Sequence, residues 1–322
     1  MAIFEMSIMA RVTWNLHSLN NEGTIGNVTE PRTVVLASGE KTDGISGEML
    51  KHIHAYNVWL LQEDKSKFCS ACQKFHPQRA DVNEMVKKSK NQESAMKTAI
   101  ASCILCDLHG FLLAQTMSLG RPSTIEFGWA LGIPDKTHRS IHVHARHFMV
   151  GRSKEELKAG EEESEIAKNE DGRGKGEEKQ VTSQMVYHRP TRSGVYALIS
   201  VFQPWRIGLN EINYSYVISN EERKKRFQLA LNAYKAALIR TEGAMTSTRL
   251  PHVEGIEGAV IISEKNFPAP VISPINNDYL DQLEALNRDE KGLSMKKFSN
   301  LADLKSLIDE LMLHEIYELK MP

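Results

Sequence analysis

The spacing of apolar positions changes several times along the chain, and each change predicts an element. Residues 8–17, IMARVTWNLH, mix β-branched and aromatic residues with alternating polar positions and predict a strand, with little structure expected before Ala10. The polar stretch SLNNEGTIGNVTEPRTVVLASGEKTDG then reads as a loop, whose Gly, Asn and Thr suit turns and leave backbone N–H groups free to meet an anion. Ser46 closes this loop as the N-cap of a helix from about Gly47 to Leu61, with Met49, Ile53 and Leu60 on the inward face and Glu48, Lys51 and His54 off it.

Residues 64–98 are polar and helix-prone, and the apolar pattern returns in ASCILCDLHGFLLAQ at 101–115. After a second polar loop, IHVHARHFMV at 141–150 alternates strictly, which puts His142, His144 and Arg146 on one face of a strand. Residues 183–192 predict a strand returning beside it, followed by a core strand at VYALISVF. Ser219 and Glu222 form a capping box for a helix to about Arg240, with Phe227, Leu231, Tyr234 and Leu238 inward. A strand at 258–263 and two helices near 277–290 and 300–318 complete the chain. Strand, helix, strands, helix, strand is the split order of ferredoxin-like and RRM folds, so the expected class is α+β.

Composition adds two points. Hydrophobic residues make up 41% of the chain, enough for a sizeable core. The longest apolar runs fall far short of the ~20 residues a membrane helix needs, and the N-terminus has no basic leader, so a cytoplasmic protein without membrane contact is expected. The formal net charge of −1 argues against a broadly basic nucleic-acid surface. Part of that balance is local: residues 151–180 hold seven basic and ten acidic residues, leaving 33 basic against 31 acidic elsewhere. With five Gly and no aromatics, this segment reads as a mobile charged loop.

All four cysteines fall in two Cys-x-x-Cys pairs, Cys69 with Cys72 and Cys103 with Cys106. Four thiolates make a closed tetrahedral zinc site, structural because no position is left for water. Against it, the 30 intervening residues exceed a usual finger loop, and the second pair lies in an apolar run where cysteine is commonly core. Both readings stay open at this point, with His76 and His109 as reserve ligands.

The residues NLHSLNNEGTIGNVTEPRT followed by DGISGEMLKHIHA resemble the opening of the DevR, or Cas-seven, family of CRISPR-associated RAMP proteins, in its subtype I-A form. The resemblance is strongest over residues 11–62, with CDLHGFLL at 106–113 in support. It implies an RRM-like palm that lines the guide RNA (crRNA) of a Cascade surveillance complex, with copies stacked along the spacer and a thumb hairpin that kinks the RNA. The RNA reads target DNA by pairing, while the protein reads backbone shape. Other copies of the chain and other Cascade subunits are the implied partners. Carried over by position, Ser46 and Lys51 match the phosphate-contacting helix start and Arg32 a basic loop position, with His54 a turn further on and Asn21 and Asn27 within reach of sugars or phosphates. A helix N-terminus with a hydroxyl and a nearby lysine suits a phosphate.

The implied division is a palm strand and helix over 1–63, a helical insertion over 64–100, palm strand and loop over 101–140, a thumb-like hairpin over 141–192 with its charged tip at 151–180, and palm strands with the later helices over 193–322. On the hairpin, Phe148, Met149, Met185 and Tyr187 would wedge between bases, and Arg146, Arg189 and Arg192 would hold phosphates.

Related type III backbone subunits cut RNA with an Asp in the first loop. Between Ser18 and Lys41 this chain has only Glu22, Glu30 and Glu40 as carboxylates, so no catalysis is expected, with a nuclease using Glu22 as the alternative. A DNA-binding autoregulator is the second alternative, and no convincing helix-turn-helix with a basic recognition helix supports it.

Overall fold

The computed structural model describes residues 2–114, 117–147, 184–243 and 245–320. Phe148, Met149 and the charged segment 151–180 lie outside the described residues.

One ten-stranded sheet organises the molecule. Its strands are β1 (Glu5–His17), β2 (Asn21–Ile25), β3 (Val28–Pro31), β4 (Thr33–Val35), β5 (Lys41–Ile45), β6 (Ile125–Phe127), β7 (Ala130–His147), β8 (Gln184–Phe202), β9 (His252–Ser263) and β10 (Leu293–Phe298). The helices are α1 (Gly47–Leu61), α2 (Gln92–Ser102), α3 (Ile104–His109), α4 (Asn220–Ile239), α5 (Tyr279–Asp289) and α6 (Leu301–Leu311). Along the sheet the order is β10-β9-β1-β8-β7-β5-β4, and the neighbours from β10 through β7 are antiparallel. The sheet is therefore mixed with helices in an antiparallel α/β arrangement.

β1 begins earlier than its alternation predicts, because both of its faces are covered. Met6, Ile8, Ala10, Val12 and Trp14 enter the main core, while Met9 packs with Ala259, Ile261, Tyr279 and Leu283 beneath α5. Ser7 and Arg11 tie this second face to the connection before α5 through the carbonyls of Pro270 and Pro274 at 2.6 and 2.8 Å. A strand buried on both sides reads as a continuous apolar run, which is why the residues before Ala10 are ordered core.

The main core lies between the sheet and the pair α1 and α4. Phe227, Leu231, Tyr234 and Leu238 all face inward as the periodicity predicts. Ser219 accepts from the Glu222 N–H at 3.2 Å, but the Glu222 carboxylate turns to Arg226 at 3.0 Å, so only half of the expected capping box forms. On α1 the buried face is Leu50, Ile53, His54, Ala55 and Val58. Leu60 is exposed, because this face lies one residue away from the stripe that the sequence pattern suggests.

Three further differences have physical causes. The opening loop contains β2 to β5, short strands that borrow hydrogen bonds from their neighbours and have no amphipathic signature of their own. β7 and β8 are much longer than predicted, and a bulge between Gly132 and Thr137 breaks the alternation. Gly194 permits that bulge, since a Cβ there would stand 2.5 Å from the Lys136 carbonyl oxygen. At the C-terminal end β10 separates the two helices, and α6 stops at Leu311, with Glu315–Ile316 pairing in parallel with Ala2–Ile3.

Candidate nucleic-acid interface

At the start of α1 the geometry follows from the local sequence. The Ser46 side chain accepts from the Met49 N–H at 3.3 Å, and the Ser46 N–H donates to Asn20 Oδ1 at 2.9 Å. Gly47 is required here by packing, because a Cβ would meet the Phe127 carbonyl oxygen at 2.2 Å. Ser46 is thus a buried cap, and the amides before Met49 lie outside the helical ladder. Lys51, one turn on, is half-buried, and its ammonium pKa is lowered by burial and by Arg79. A cleft of about 420 Å³ opens along Met49, Ile53 and Tyr56 of α1, with Leu19, Asn20 and Glu242 opposite, and Lys51 does not line it.

Arg32 sits in the one-residue connection between β3 and β4. Its guanidinium pairs with Glu22 at 2.9 Å and lies 5.6 Å from the centre of the Trp129 ring. Asn21 is half-buried and shares hydrogen bonds with Ser18, whereas Asn27 is exposed in the turn between β2 and β3.

Two expected contacts are corrected by burial. His54 is fully enclosed, with Nδ1 3.1 Å from His109 Nε2, Nε2 3.0 Å from the Ala230 carbonyl, and its pKa driven by burial down to about 3. It locks α1 to α3 and α4. Arg192 is 1% exposed and donates to Asp43 at 3.2 Å and to the Asn20 carbonyl at 2.5 Å. Tyr196 donates to the other Asp43 oxygen at 2.7 Å and meets His17 Nε2 at 2.9 Å. Burial, with Arg192 nearby, brings the His17 pKa down to about 3, while burial raises that of Asp43. This network fixes the end of β5 immediately before α1. Neither the neutral imidazole of His54 nor the guanidinium of Arg192 reaches solvent, and both leave the set of interface candidates.

The β7–β8 hairpin has two unlike faces. Register places His142 opposite Arg189 and His144 opposite Tyr187, so these four share a face. Ile141 and Val143 lie on the other face and are 60% and 64% exposed. The backbones of Arg146 and Met185 pair with each other further out. Arg249, from the connection between α4 and β9, joins the polar face and donates to His144 Nε2 at 3.0 Å. Nothing in the pattern of TSTRLP signals this, because the contact depends on how that connection crosses the sheet.

The four cysteines meet. Cys69 is the N-cap of the helical turn Ser70–Gln73 and Cys72 lies within it, while Cys103 is the N-cap of α3 and Cys106 lies within α3. Their sulfur atoms all lie within 4.8 Å of one another, and all four residues are buried as free thiols. The neighbouring thiols of Cys103, Cys106 and Cys72 pull the Cys69 thiol well below its ordinary pKa. Four sulfurs so gathered are positioned to bind a metal ion. Neither reserve ligand joins the four sulfurs: His109 turns Nε2 to His54, and His76 Nδ1 accepts from the Gln78 N–H at 3.3 Å.

Comparison with known proteins agrees in one direction. The family described as CRISPR-associated negative auto-regulator DevR/Csa2 matches residues 8–284. A protein of Methanocaldococcus jannaschii described as CRISPR-associated protein Cas7/Cst2/DevR is 24% identical over 310 residues, covering 90% of this chain and 91% of that protein. Among solved structures, a chain of a CRISPR RNA-guided surveillance complex in a pre-nicking state superposes with a TM-score of 0.50 at 12% identity, covering 96% of this chain and 98% of that one, a likeness of fold.

Proposed function

The chain belongs to the CRISPR-associated DevR/Csa2 family, and from that premise we propose that it is a non-catalytic guide-RNA-binding backbone subunit of a type I surveillance complex. Copies stack along the spacer segment of the RNA in the cytoplasm, contact other Cascade subunits and present the RNA for pairing with target DNA. The observation that carries this reading is the match over residues 8–284, which spans both the capped start of α1 and the β7–β8 hairpin. The spatial order β9-β1-β8-β7, with α1 and α4 packed together, supports an RRM- or ferredoxin-like palm.

On this reading the N-terminus of α1 and Lys51 hold backbone phosphates, with Arg32, Asn21 and Asn27 along the adjoining strands. The hairpin is the thumb, with Tyr187 and Arg189 on its RNA-facing side, Arg146 and Met185 further along its strands, and Phe148 and Met149 beyond the described residues. The four cysteines hold a structural zinc ion that fastens residues 64–91 to α3; a closed thiolate set supplies rigidity and no reaction. Two contacts favour a non-catalytic role. Glu22 is paired with Arg32, and Asp43 has both oxygens committed to Arg192 and Tyr196, so neither carboxylate is poised to hold a metal over RNA.

Sequencing the RNA that copurifies from the native host tests this reading. Repeat-derived guides are expected. Bulk cellular RNA, or none, would overturn it, and regular cleavage of matched target RNA that is lost in Glu22→Ala would overturn the non-catalytic part.

A further inference from the structure

Between residues 64 and 91 the chain forms only short turns, Lys65–Lys67, Ser70–Gln73, Arg79–Val82 and Glu84–Lys87, each too short to hold its own shape. Phe75 and Arg79 stand in the left-handed region, at φ 53° and 47°, where a non-glycine residue stays only under the constraint of its surroundings. The four sulfurs, within 4.8 Å of one another, supply that constraint by joining this insertion to α3. The insertion in turn packs on α1. The Phe75 ring meets those of His52 and Tyr56 at centroid distances of 5.2 and 5.6 Å, and the Trp59 indole N–H donates to the Gln73 carbonyl at 3.1 Å. Arg79 Nη1 donates to the carbonyls of His109 and Gly110, both at 2.7 Å, and its charge adds to burial in lowering the pKa of Lys51 and of His52.

The four thiols are not equivalent. Cys69 lines a cleft of about 630 Å³ together with Ser66, Lys67, Ser70, Ser102 and Met85, whereas Cys72, Cys103 and Cys106 do not reach it. A small neutral oxidant therefore meets Cys69 first. Cys72, three residues on in the same turn, is the sulfur free to follow, because Cys103 is engaged as the cap of α3, accepting from the Cys106 N–H at 3.4 Å.

We propose that Cys69 and Cys72 are a peroxide-oxidisable pair, and that closing them into a disulfide releases zinc, loosens residues 64–91 and withdraws Arg79 from Lys51. The Cys69 thiolate attacks one peroxide oxygen and breaks the O–O bond, giving a sulfenic acid and, with a proton, water. The Cys72 thiolate then attacks the Cys69 sulfur and displaces hydroxide, which a second proton converts to water. The sulfur pair loses two electrons and the peroxide gains two. Zinc leaves as the unchanged divalent ion, with only two thiolates remaining to hold it. The zinc release rests on the reading of the cysteines given above, and the disulfide does not.

In the test, the full chain is purified with its metal and treated with hydrogen peroxide. A chromogenic chelator follows the zinc freed, peptide mass spectrometry the cysteine linkage, and fluorescence anisotropy the affinity for single-stranded RNA. Zinc should be freed at one ion per chain, in step with a Cys69–Cys72 disulfide, and RNA affinity should drop by about tenfold. A dithiol reductant with added zinc should restore all three. Arg79→Ala should weaken RNA binding by the same factor before oxidation and leave little further loss after it. Met85→Leu, which removes the exposed thioether of the cleft, should change none of the three. A first disulfide at any other pair, or a wild-type chain that keeps its free thiols and its zinc, overturns the proposal. Disulfide formation with undiminished RNA affinity overturns the link to Arg79. A purified chain without zinc that still forms the Cys69–Cys72 disulfide overturns the zinc reading and leaves the oxidation site standing. No RNA binding even by the reduced chain overturns the guide-binding reading, and zinc release with the disulfide still supports the site.

Discussion

Asp107 is a single buried carboxylate that joins four parts of the chain. It accepts from Arg121 at 2.7 Å, from Arg226 at 2.8 Å and from the Gly208 N–H at 3.0 Å, and it lies on α3 beside the cysteine cluster. Removing one member of such a set leaves buried charge without compensation. Asp107→Ala is therefore expected to lower stability by about 3–5 kcal/mol in urea unfolding, far more than an exposed pair such as Glu221 with Lys225 would. His17 and His54 make stability depend on pH. Burial holds both near pKa 3, well below the unfolded value of about 6.5, so between these limits the unfolded chain binds more protons. Stability is thus full above about pH 6.5 and falls as pH drops toward 3, with a slope of up to about 1.4 kcal/mol per pH unit for each histidine. Melting curves from pH 8 to 4.5 should show this decline, and His54→Gln should make it shallower. At the interface, Lys51→Glu should weaken RNA of every sequence alike and reduce the salt slope by about 1, as measured by fluorescence anisotropy. Little of this was legible in the sequence. Asp107 sits in an apolar run, and its partners lie 14, 101 and 119 residues away.

At the scale of elements, what the sequence disclosed depended on how much each segment carries its own signal. α4 was readable because its capping serine and four inward side chains recur at helical spacing. The strands β2 to β5 were not, since their order comes from partners elsewhere in the sheet. On α1, burial of His54 against Ala230 reversed an assignment drawn from polarity, because a histidine with both nitrogens satisfied can occupy a core. The cysteine pairs were readable by spacing, and their meeting depended on α3 folding back beside the insertion. Elemental analysis of protein purified without added metal should find one zinc per chain, reduced in Cys72→Ser. Stripping the metal with a strong chelator should raise amide exchange over residues 64–91 and 101–109 while β1, β8 and β9 stay protected. Metal-free protein with unchanged protection would contradict the structural role.

For the whole molecule, the question is how a chain of net charge −1 can hold a polyanion. The answer lies in distribution. Acidic groups are engaged in buried pairs such as Asp43 with Arg192 and Asp107 with Arg121 and Arg226, and on the proposed reading Lys51 and Arg189 are left to meet RNA phosphates. On that reading a few contacts per copy, repeated along a strand, would supply affinity without a broadly basic surface and leave sequence to base pairing. This makes copy number the most direct consequence of the account. Native mass spectrometry of the protein with single-stranded RNAs of increasing length should show protomers added at regular length intervals, whatever the base sequence. A fixed stoichiometry that ignores RNA length, or tight binding confined to one duplex DNA sequence, would contradict it.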